Sequence, residues 1–345
     1  MKIKKITALL LTVALGATML IGCSKNYTSV MTIDGEEIAP NIYLLSQLES
    51  YMNASKKAEA GTDVLKSTIE EKPAQQWIHD ETIKTLQSYV FTNKEFDSRK
   101  LSMTEDELLQ IDATAQSMWS IMEPMYKPNG VGFETYKDML LSTYKGDKIF
   151  DAIYGEGGEK APTNDEVKKY LQENYIRLKG FKLSKMDAEG KAVSEGAVKE
   201  LSDAANEAVK ELNEGAAFEE TLVKYMTMGG AIVKSETDYS SAAGHIWEEF
   251  IKKDSEKYPI EFVNKGFAAS VDGKYTVYEA EDGFIVYTKV DNFTNEGEID
   301  SLKKSLVAEM KNAEFSEFIQ KGAAALEIKA DDGAVKYYSV SKIKY

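Results

Sequence analysis

The sequence predicts an α+β protein with a helical region first, a small antiparallel-sheet module next and a helix near the end. Apolar residues recur at three- and four-residue steps between residues 40 and 153, which is the period of an amphipathic helix. Residues 175–290 then follow the order strand, helix, short helix, hairpin, which is typical of a small α+β domain. Another apolar stripe of helical period follows residue 293. The chain length suits about two domains.

The N-terminus has the composition of a secretory signal. Three lysines precede an uncharged apolar run that ends at Ile21, and this run is short for a membrane-spanning helix. Gly22 and Cys23 at its end resemble a bacterial lipobox, in which the cysteine becomes the lipid-bearing first residue of the mature protein. We therefore predict a signal peptide over 1–22, lipidation at Cys23 and a tether over 23–28. The alternative is an ordinary signal in which Cys23 has no role.

Composition excludes several classes of function. The net charge of −15 becomes about −18 without the three lysines of the signal, which argues against nucleic acid or bare phospholipid as a partner. Cys23 is the only cysteine and the chain has two histidines, so no disulfide, thiolate metal site or cysteine nucleophile is expected in the mature protein. No nucleophile elbow or phosphate-loop motif occurs. We predict neither a metal nor a cofactor.

The first region is predicted to be nearly all helical. A short strand over Val30–Ile33 and a turn at Asp34-Gly35 precede helices from Pro40, over Ile78–Phe96, from Thr104 and over Phe133–Ile153. Trp119, Met122 and Tyr126 lie on one face of the third helix. Flexible and aromatic side chains of this kind can line a groove for an apolar partner; the alternative interpretation is helix core.

The middle and C-terminal regions mix helices and strands. The predicted order is a helix capped by Thr163, a strand over Tyr175–Leu183, a helix over Val198–Leu212, a short helix from Phe218 and a hairpin of Tyr275–Ala280 with Phe284–Val290. A helix over Ile299–Ala313 follows. The segments Ile328–Ala330 and Val335–Val340 then predict a final hairpin, whose edge we expect to pair with Val30–Ile33.

Three segments resemble the parvulin-type prolyl isomerases: Asn213–Phe218, Glu261–Phe267 and Gly283–Val286. With the lipobox and the order of elements, the chain resembles a PrsA/SurA-type foldase lipoprotein. The resemblance implies a helical chaperone lobe built from the N- and C-terminal segments, with a parvulin-like domain inserted between them. The implied limits are 29–165 for the N-terminal helical region, 166–292 for the parvulin-like domain and 293–345 for the C-terminal helix and hairpin.

The same resemblance locates the site residues. It aligns Gly180, Met228 and Ile285 with the three positions where active parvulins carry histidine or an Asp or Cys, so no catalytic residue is predicted. The two histidines, His79 and His245, fall elsewhere. The positions that hold the prolyl ring carry Tyr258, Phe262 and Phe267, which we predict to bind substrate, with core packing as the alternative, above all for Phe267.

The predicted function is that of an extracytoplasmic chaperone or foldase, anchored to the bacterial cell membrane by the lipid on Cys23. Its partners would be unfolded or nascent exported polypeptides, and its parvulin-like domain would be weak or inactive as an enzyme. An active isomerase with an atypical site is the first alternative. A solute-binding lipoprotein of a transporter is the second. The sequence leaves open whether the helical lobe forms a homodimer.

Overall fold

The computed structural model describes residues 27–225, 227–228, 231–232, 246–294 and 296–344. The chain divides into two units. The described residues up to Lys145, together with those from Ile319 onward, form the first unit, and Gly146–Phe318 form the second. The predicted signal peptide 1–22, Cys23 and His245 lie outside the described residues.

The helices and strands follow one another in the order that most of the sequence patterns predict. The elements up to residue 154 are β1 (Met31–Ile33), β2 (Glu36–Ile38), α1 (Pro40–Lys57), β3 (Thr68–Ile69), β4 (Lys72–Pro73), α2 (Ala74–Ser98), α3 (Glu105–Tyr126) and α4 (Phe133–Tyr154). Those that follow are α5 (Asn164–Asn174), β5 (Tyr175–Ser184), α6 (Glu195–Asn213), α7 (Phe218–Tyr225), β6 (Thr227–Met228), β7 (Ala231–Ile232), β8 (Trp247–Lys252), α8 (Ile260–Ala268), β9 (Thr276–Ala280), β10 (Gly283–Val290), α9 (Glu296–Ala324), β11 (Ile328–Ala330) and α10 (Asp332–Tyr337).

Local sequence sets the start of α3 and of α5. Each helix begins after a threonine, Thr104 or Thr163, whose hydroxyl accepts a hydrogen bond from the backbone N–H three residues later. The glutamate at that third position accepts a hydrogen bond from the N–H of the threonine in return. Two backbone donors that a helix start leaves free are satisfied in this way.

The first unit has an antiparallel three-stranded sheet and a bundle of helices. The strand order is β11-β1-β2, with Met31 opposite Ala330 on one side and Ile38 on the other. Val30 and Ile33 from the sheet pack with Leu86 and Val90 of α2 in one apolar cluster. A second cluster joins residues of α1, α2, α3 and the C-terminal segment.

The second unit is built on a four-stranded antiparallel sheet of order β8-β5-β10-β9. Side chains of a strand alternate between its two faces, so each face has its own partner. Phe181 and Leu183 of β5 pack with α6 and α7 on one face. Ile176 and Leu178 pack with α8 on the other.

The predicted α+β class is confirmed, and one part of the C-terminal prediction is wrong. Residues 328–330 form β11 and pair with β1. The expected second strand of the final hairpin, Val335–Val340, does not form, because its first three residues belong to the helix α10. The cause is Asp331, whose carboxylate accepts hydrogen bonds from the N–H groups of Gly333 and Ala334 and caps that helix.

The strand β8 is an element that the sequence patterns did not predict. The second unit spans Gly146–Phe318, and the predicted domain limits at residues 165/166 and 292/293 stay a prediction.

Among the helices that the structure describes, none combines the length and the apolar composition of a membrane span. The described residues contain no group of three or more His, Cys, Asp or Glu placed to hold a metal ion.

Candidate functional site

The α8 face of the second unit's sheet carries an aromatic cluster, which consists of Trp247, Tyr258, Phe262, Tyr278 and Tyr287. The Phe262 ring lies at its centre, with centroids 5.0 Å from Tyr287 and 5.1 Å from Tyr278. Tyr258 and Trp247 follow at 5.3 and 6.4 Å. These separations are typical of packed aromatic pairs. Phe262 is fully buried.

Gly180 of β5 lies beneath this cluster and has no room for a side chain. It is opposite Trp247 on one neighbouring strand and Tyr287 on the other. A Cβ at this position would clash with the carbonyl oxygen of Val286 and would lie 3.1 Å from the Trp247 ring. The indole therefore covers the position to which the parvulin resemblance assigns an imidazole, and a histidine could not be accommodated there without movement of β10.

The other two positions that the resemblance aligns with parvulin site residues, 228 and 285, add no proton donor among the described atoms. Ile285 of β10 is buried in the same apolar cluster. Met228 lies in the short strand β6, which pairs with β7, and its side chain is outside the described part of the chain. At Gly180 and Ile285 the structure thus offers only apolar surface.

The polar groups of this face are a tyrosine and a glutamate that the sequence argument did not connect. The Tyr258 hydroxyl donates a hydrogen bond to the Glu249 carboxylate, whose other oxygen lies 2.6 Å from the Lys257 ammonium. Burial, followed by this hydrogen bond, raises the pKa of Tyr258 above its usual value. The phenol therefore remains a hydrogen-bond donor at neutral pH. Recognising β8 would have placed Glu249 on this face.

The predicted substrate-binding residues differ in exposure. Phe262 is fully enclosed, whereas Tyr258 and Phe267 are half-buried at the edge of the cluster. Lys289 fixes this end of α8 by donating hydrogen bonds to the carbonyl oxygens of Phe267 and Ala269, at 3.1 and 3.0 Å. Substrate binding by the three aromatic residues stays a prediction.

In the first unit, the predicted groove residues lie along α3 and turn largely inward. The Trp119 ring centroid is 5.9 Å from those of Phe133 and Tyr136 and 6.1 Å from that of Tyr126. Tyr126 is buried, while Trp119 and Met122 are half-buried. The three residues therefore share one face of α3, as predicted, and that face packs mainly on the unit's own core.

The same helix exposes apolar side chains other than the three predicted groove residues. Ile121 is 75% exposed and Leu109 is 69% exposed, and Leu108 and Met118 are exposed as well. The Tyr136 hydroxyl lies 3.4 Å from the Met118 sulfur and donates a hydrogen bond to it. These four residues form what we call the α3 apolar surface. For Leu109 and Ile121 the available signal was their position outside the stripe of Ile111, Ala115 and Tyr126, the buried residues of α3.

A half-buried carboxyl lies beneath this region. Glu49 of α1 is close enough to Tyr126 and Tyr136 for its charge to raise the pKa of both phenols, after the larger effect of their burial. Burial raises the pKa of Glu49 itself to about 7. No described side chain forms an ion pair with it at 4.0 Å or less. The first unit therefore contains an ionisable group whose charge is destabilised by its surroundings.

Comparison with known proteins gives structural similarity and no sequence match. No family profile matches the chain, and no curated protein sequence does. The foldase PrsA of Lactococcus lactis is 13% identical over 92% of this chain and 100% of its own, with a TM-score of 0.36. PrsA of Streptococcus pneumoniae is 14% identical over 91% and 99%, with a TM-score of 0.38.

A SurA-like chaperone structure from Campylobacter jejuni, described with the proteins PEB4 and Cj1289, is 10% identical over 89% of this chain and 100% of its own. Its TM-score is 0.28. In structure, the chain is similar to PrsA foldases and SurA-like chaperones.

Proposed function

We propose that the protein is an extracytoplasmic chaperone, anchored through the lipid on Cys23, that binds unfolded exported polypeptides at the α3 apolar surface. The observation that carries the proposal is the exposure of Leu109 and Ile121, together with Leu108 and Met118, along one helix. Exposed large apolar side chains on a folded unit favour binding of apolar segments of a partner. Methionine adapts to varied partners because its side chain is flexible and polarisable.

Charge around this surface supports the same kind of partner. The first turn of α3 carries Glu105, Asp106 and Glu107, and Glu123 lies near its end. A chain of net charge −15 repels acidic and nucleic-acid ligands. An unfolded polypeptide with apolar and basic residues would gain apolar contacts with the α3 apolar surface and ionic contacts with these carboxylates. Contacts of this kind are weak and tolerant of sequence, so they slow aggregation while allowing release.

The proposed role does not include efficient prolyl isomerisation. The barrier to rotation about the peptide bond is about 18–20 kcal/mol and arises from amide resonance. Lowering it requires a groove that receives the prolyl ring and polar groups that stabilise a twisted amide. In this conformation Phe262 is enclosed, so it leaves no groove for the prolyl ring. Gly180 has no side chain and no room for one, so it supplies no polar group. We expect the full protein to leave the cis/trans exchange of a proline peptide at its uncatalysed rate. Acceleration to the rate of an active parvulin would contradict this.

Suppression of aggregation tests the chaperone proposal. The acylated protein is added to a chemically denatured model protein on dilution, and light scattering is followed. Replacement of Leu109 and Ile121 by serine, two exposed positions that folding does not need, should raise the concentration for half-maximal suppression about tenfold, because each client contact loses apolar burial.

The second unit offers a matched control. Ile260 and Val271 are 58% and 56% exposed, and their replacement by serine removes a similar apolar area from the surface. This control should change the half-maximal concentration by less than about twofold. Equal loss in both double variants would place the client contacts outside the α3 apolar surface. No suppression by the unaltered protein would overturn the chaperone role.

A further inference from the structure

The first described residues of the chain pack against the C-terminal helix α10. The Tyr27 ring centroid lies 5.7 Å from that of Tyr337 and 6.4 Å from that of Tyr338. Tyr337 and Tyr338 are 4.8 Å apart and nearly perpendicular. We call these three residues the tyrosine cluster. Its contacts attach the N-terminal end of the described chain to the body of the first unit.

Tyr27, one member of the tyrosine cluster, is close in sequence to the predicted lipidation site. Three residues separate Cys23 from Tyr27. Even a fully extended chain covers at most about 14 Å over these four steps. If the cysteine carries acyl chains in a bilayer, the cluster must therefore lie within roughly that distance of the lipid headgroups. Tyrosine is enriched at this depth in membrane proteins because its ring is apolar and its hydroxyl remains hydrated.

The charge next to the cluster is opposite to that of the whole protein. Residues 334–345 contain Lys336, Lys342 and Lys344 and no acidic residue, in a chain of net charge −15. All three lysines are exposed. None has a carboxylate within ion-pair distance in the described part of the chain. The Lys342 ammonium lies 4.7 Å from the Tyr337 ring centroid and donates a hydrogen bond to the Tyr337 carbonyl oxygen.

Two of the acidic groups near the cluster have partners of their own, whereas Glu37, which lines a surface hollow with Tyr27, is exposed. Glu327 pairs with Lys329 at 3.1 Å. The Asp331 carboxylate accepts the two backbone hydrogen bonds that cap α10. Asp332 is exposed in the first turn of α10. The segment that follows α10's first turn thus carries three exposed lysines, of which Lys342 lies beside the Tyr337 ring.

We propose that the tyrosine cluster, with Lys336, Lys342 and Lys344, is a docking face for the anionic phospholipid surface of the membrane that holds the lipid anchor. The proposal rests on the lipidation of Cys23 in the proposed function. Acyl chains alone leave the protein free to tumble about its tether. An anionic bilayer repels the acidic remainder of the body and attracts these lysines, so the first unit would dock in one orientation. The net charge excludes uniform adsorption and is compatible with this local contact.

A fluorescent label tests the contact on the acylated full-length protein. Acylation blocks Cys23, so a cysteine introduced by Ser341→Cys, at an exposed position next to Lys342, is the free thiol available for a polarity-sensitive dye. The labelled protein is reconstituted into vesicles of phosphatidylglycerol and phosphatidylcholine. Lipids with brominated acyl chains are then added as quenchers. We expect a blue-shifted, quenched dye, and weaker quenching in pure phosphatidylcholine or at high salt.

Charge variants provide the control. Lys336→Glu with Lys342→Glu should lower the ratio of lipid-contacting to free dye at least about tenfold. Lys168→Glu with Lys210→Glu makes the same charge change at exposed positions of the second unit and should leave the ratio within about twofold. Tyr337→Ser, in the labelled background, should also reduce quenching while leaving the thermal transition of the first unit measurable.

The outcomes separate this inference from the chaperone role. Quenching without suppression of aggregation would overturn the chaperone role and keep the docking face. Suppression of aggregation without quenching of the dye would overturn the docking face. Quenching that Lys336→Glu and Lys342→Glu leave unchanged would overturn it as well. In either case, an effect of the lysine variants on the binding of inorganic phosphate would point to a soluble anionic ligand instead. Absence of acyl chains on Cys23 in the mass spectrum of the mature protein would also overturn the docking face.

Discussion

The two units of this protein differ in how completely they cover their apolar side chains. In the second unit, Phe262 of α8 packs against β5 and its neighbouring strands and is fully buried. In the first unit, α3 buries Tyr126 on one side and leaves Ile121 75% exposed on the other. Aromatic and apolar content is high in both segments of sequence. What separates a sealed cluster from an open surface is whether a second element covers it, and that depends on tertiary packing.

The largest effect that we expect from this contrast is on stability. Phe262→Ala removes a ring that four aromatic neighbours surround, and it should lower the free energy of unfolding of the second unit by about 3–5 kcal/mol. Ile121→Ala truncates an exposed side chain, and it should change the stability of the first unit by less than about 0.5 kcal/mol.

Hydrogen exchange followed by mass spectrometry measures both variants in the full chain, because peptides from β5 and β10 report the second unit and peptides from α2 and α3 the first. Comparable losses in the two variants would show that the α3 apolar surface is also structural. A loss below about 1 kcal/mol for Phe262→Ala would show that the aromatic cluster can open, and would restore the case for a prolyl pocket at that site.

Sequence reasoning succeeded where the determinants of structure are local. The starts of α3 and α5 follow from single capping boxes, and the hairpin of β9 and β10 follows from Asp282-Gly283 between two β-rich runs. The strand β8 escaped because Glu249 occupies a position on the same face as Trp247 and Ile251. A carboxylate at this position interrupts the alternation of apolar and polar residues that predicts a strand. The carboxylate is favourable there only because of its tertiary contacts with Tyr258 and Lys257.

The candidate sites depended still more on tertiary structure. The alignment with parvulins placed Gly180 at a catalytic position, but only the neighbouring strands show that no side chain fits there. The spacing of Trp119, Met122 and Tyr126 placed them on one face of α3, and spacing alone does not say which face is covered. The wrong final strand has a similar origin, because the Val and Tyr residues after Asp331, which favour strands, also suit a short capped helix.

An intermediate effect is expected from Glu49, which makes the first unit sensitive to pH. Burial raises the pKa of Glu49 from 4.5 to about 7, so the folded state binds its proton more tightly than the unfolded state does. The contribution is fully present below pH 4.5 and is lost as the pH rises through about 7. The free energy of unfolding should fall by up to about 3 kcal/mol over that interval.

Glu49→Gln should remove this fall and stabilise the first unit at pH values above the raised pKa. Urea denaturation at several pH values across the interval measures the free energy of unfolding, with Glu59→Gln as an exposed control on the loop after α1. If both variants keep the pH dependence of the unaltered protein, groups other than Glu49 cause that dependence. Because Glu49 lies beside Tyr126 under α3, the same titration should leave the buried face of α3 less stable when the carboxyl is ionised.

The smallest effect concerns the two capping boxes, which are nearly identical in the two units. In both, the backbone N–H donates to the threonine hydroxyl at 3.2 Å and the glutamate accepts from the threonine N–H at 2.8 Å. Thr104→Ala and Thr163→Ala should therefore each cost about 1 kcal/mol and raise amide exchange in the first turn of α3 or α5 about fivefold. Thr114→Ala, in the middle of α3, should cost nothing measurable, because alanine favours the helix interior.

Client binding should respond differently to the same two losses. Leu108 and Leu109 lie in the first turns of α3, so fraying that end disorders half of the α3 apolar surface and should weaken suppression of aggregation by Thr104→Ala. Thr163→Ala frays a helix of the second unit to the same extent and should leave suppression unchanged. Weakening by both variants would mean that general stability, and not the α3 apolar surface, limits client binding. Because the two caps are matched in geometry, this pair separates the surface from the fold with a smaller perturbation than removal of any core side chain.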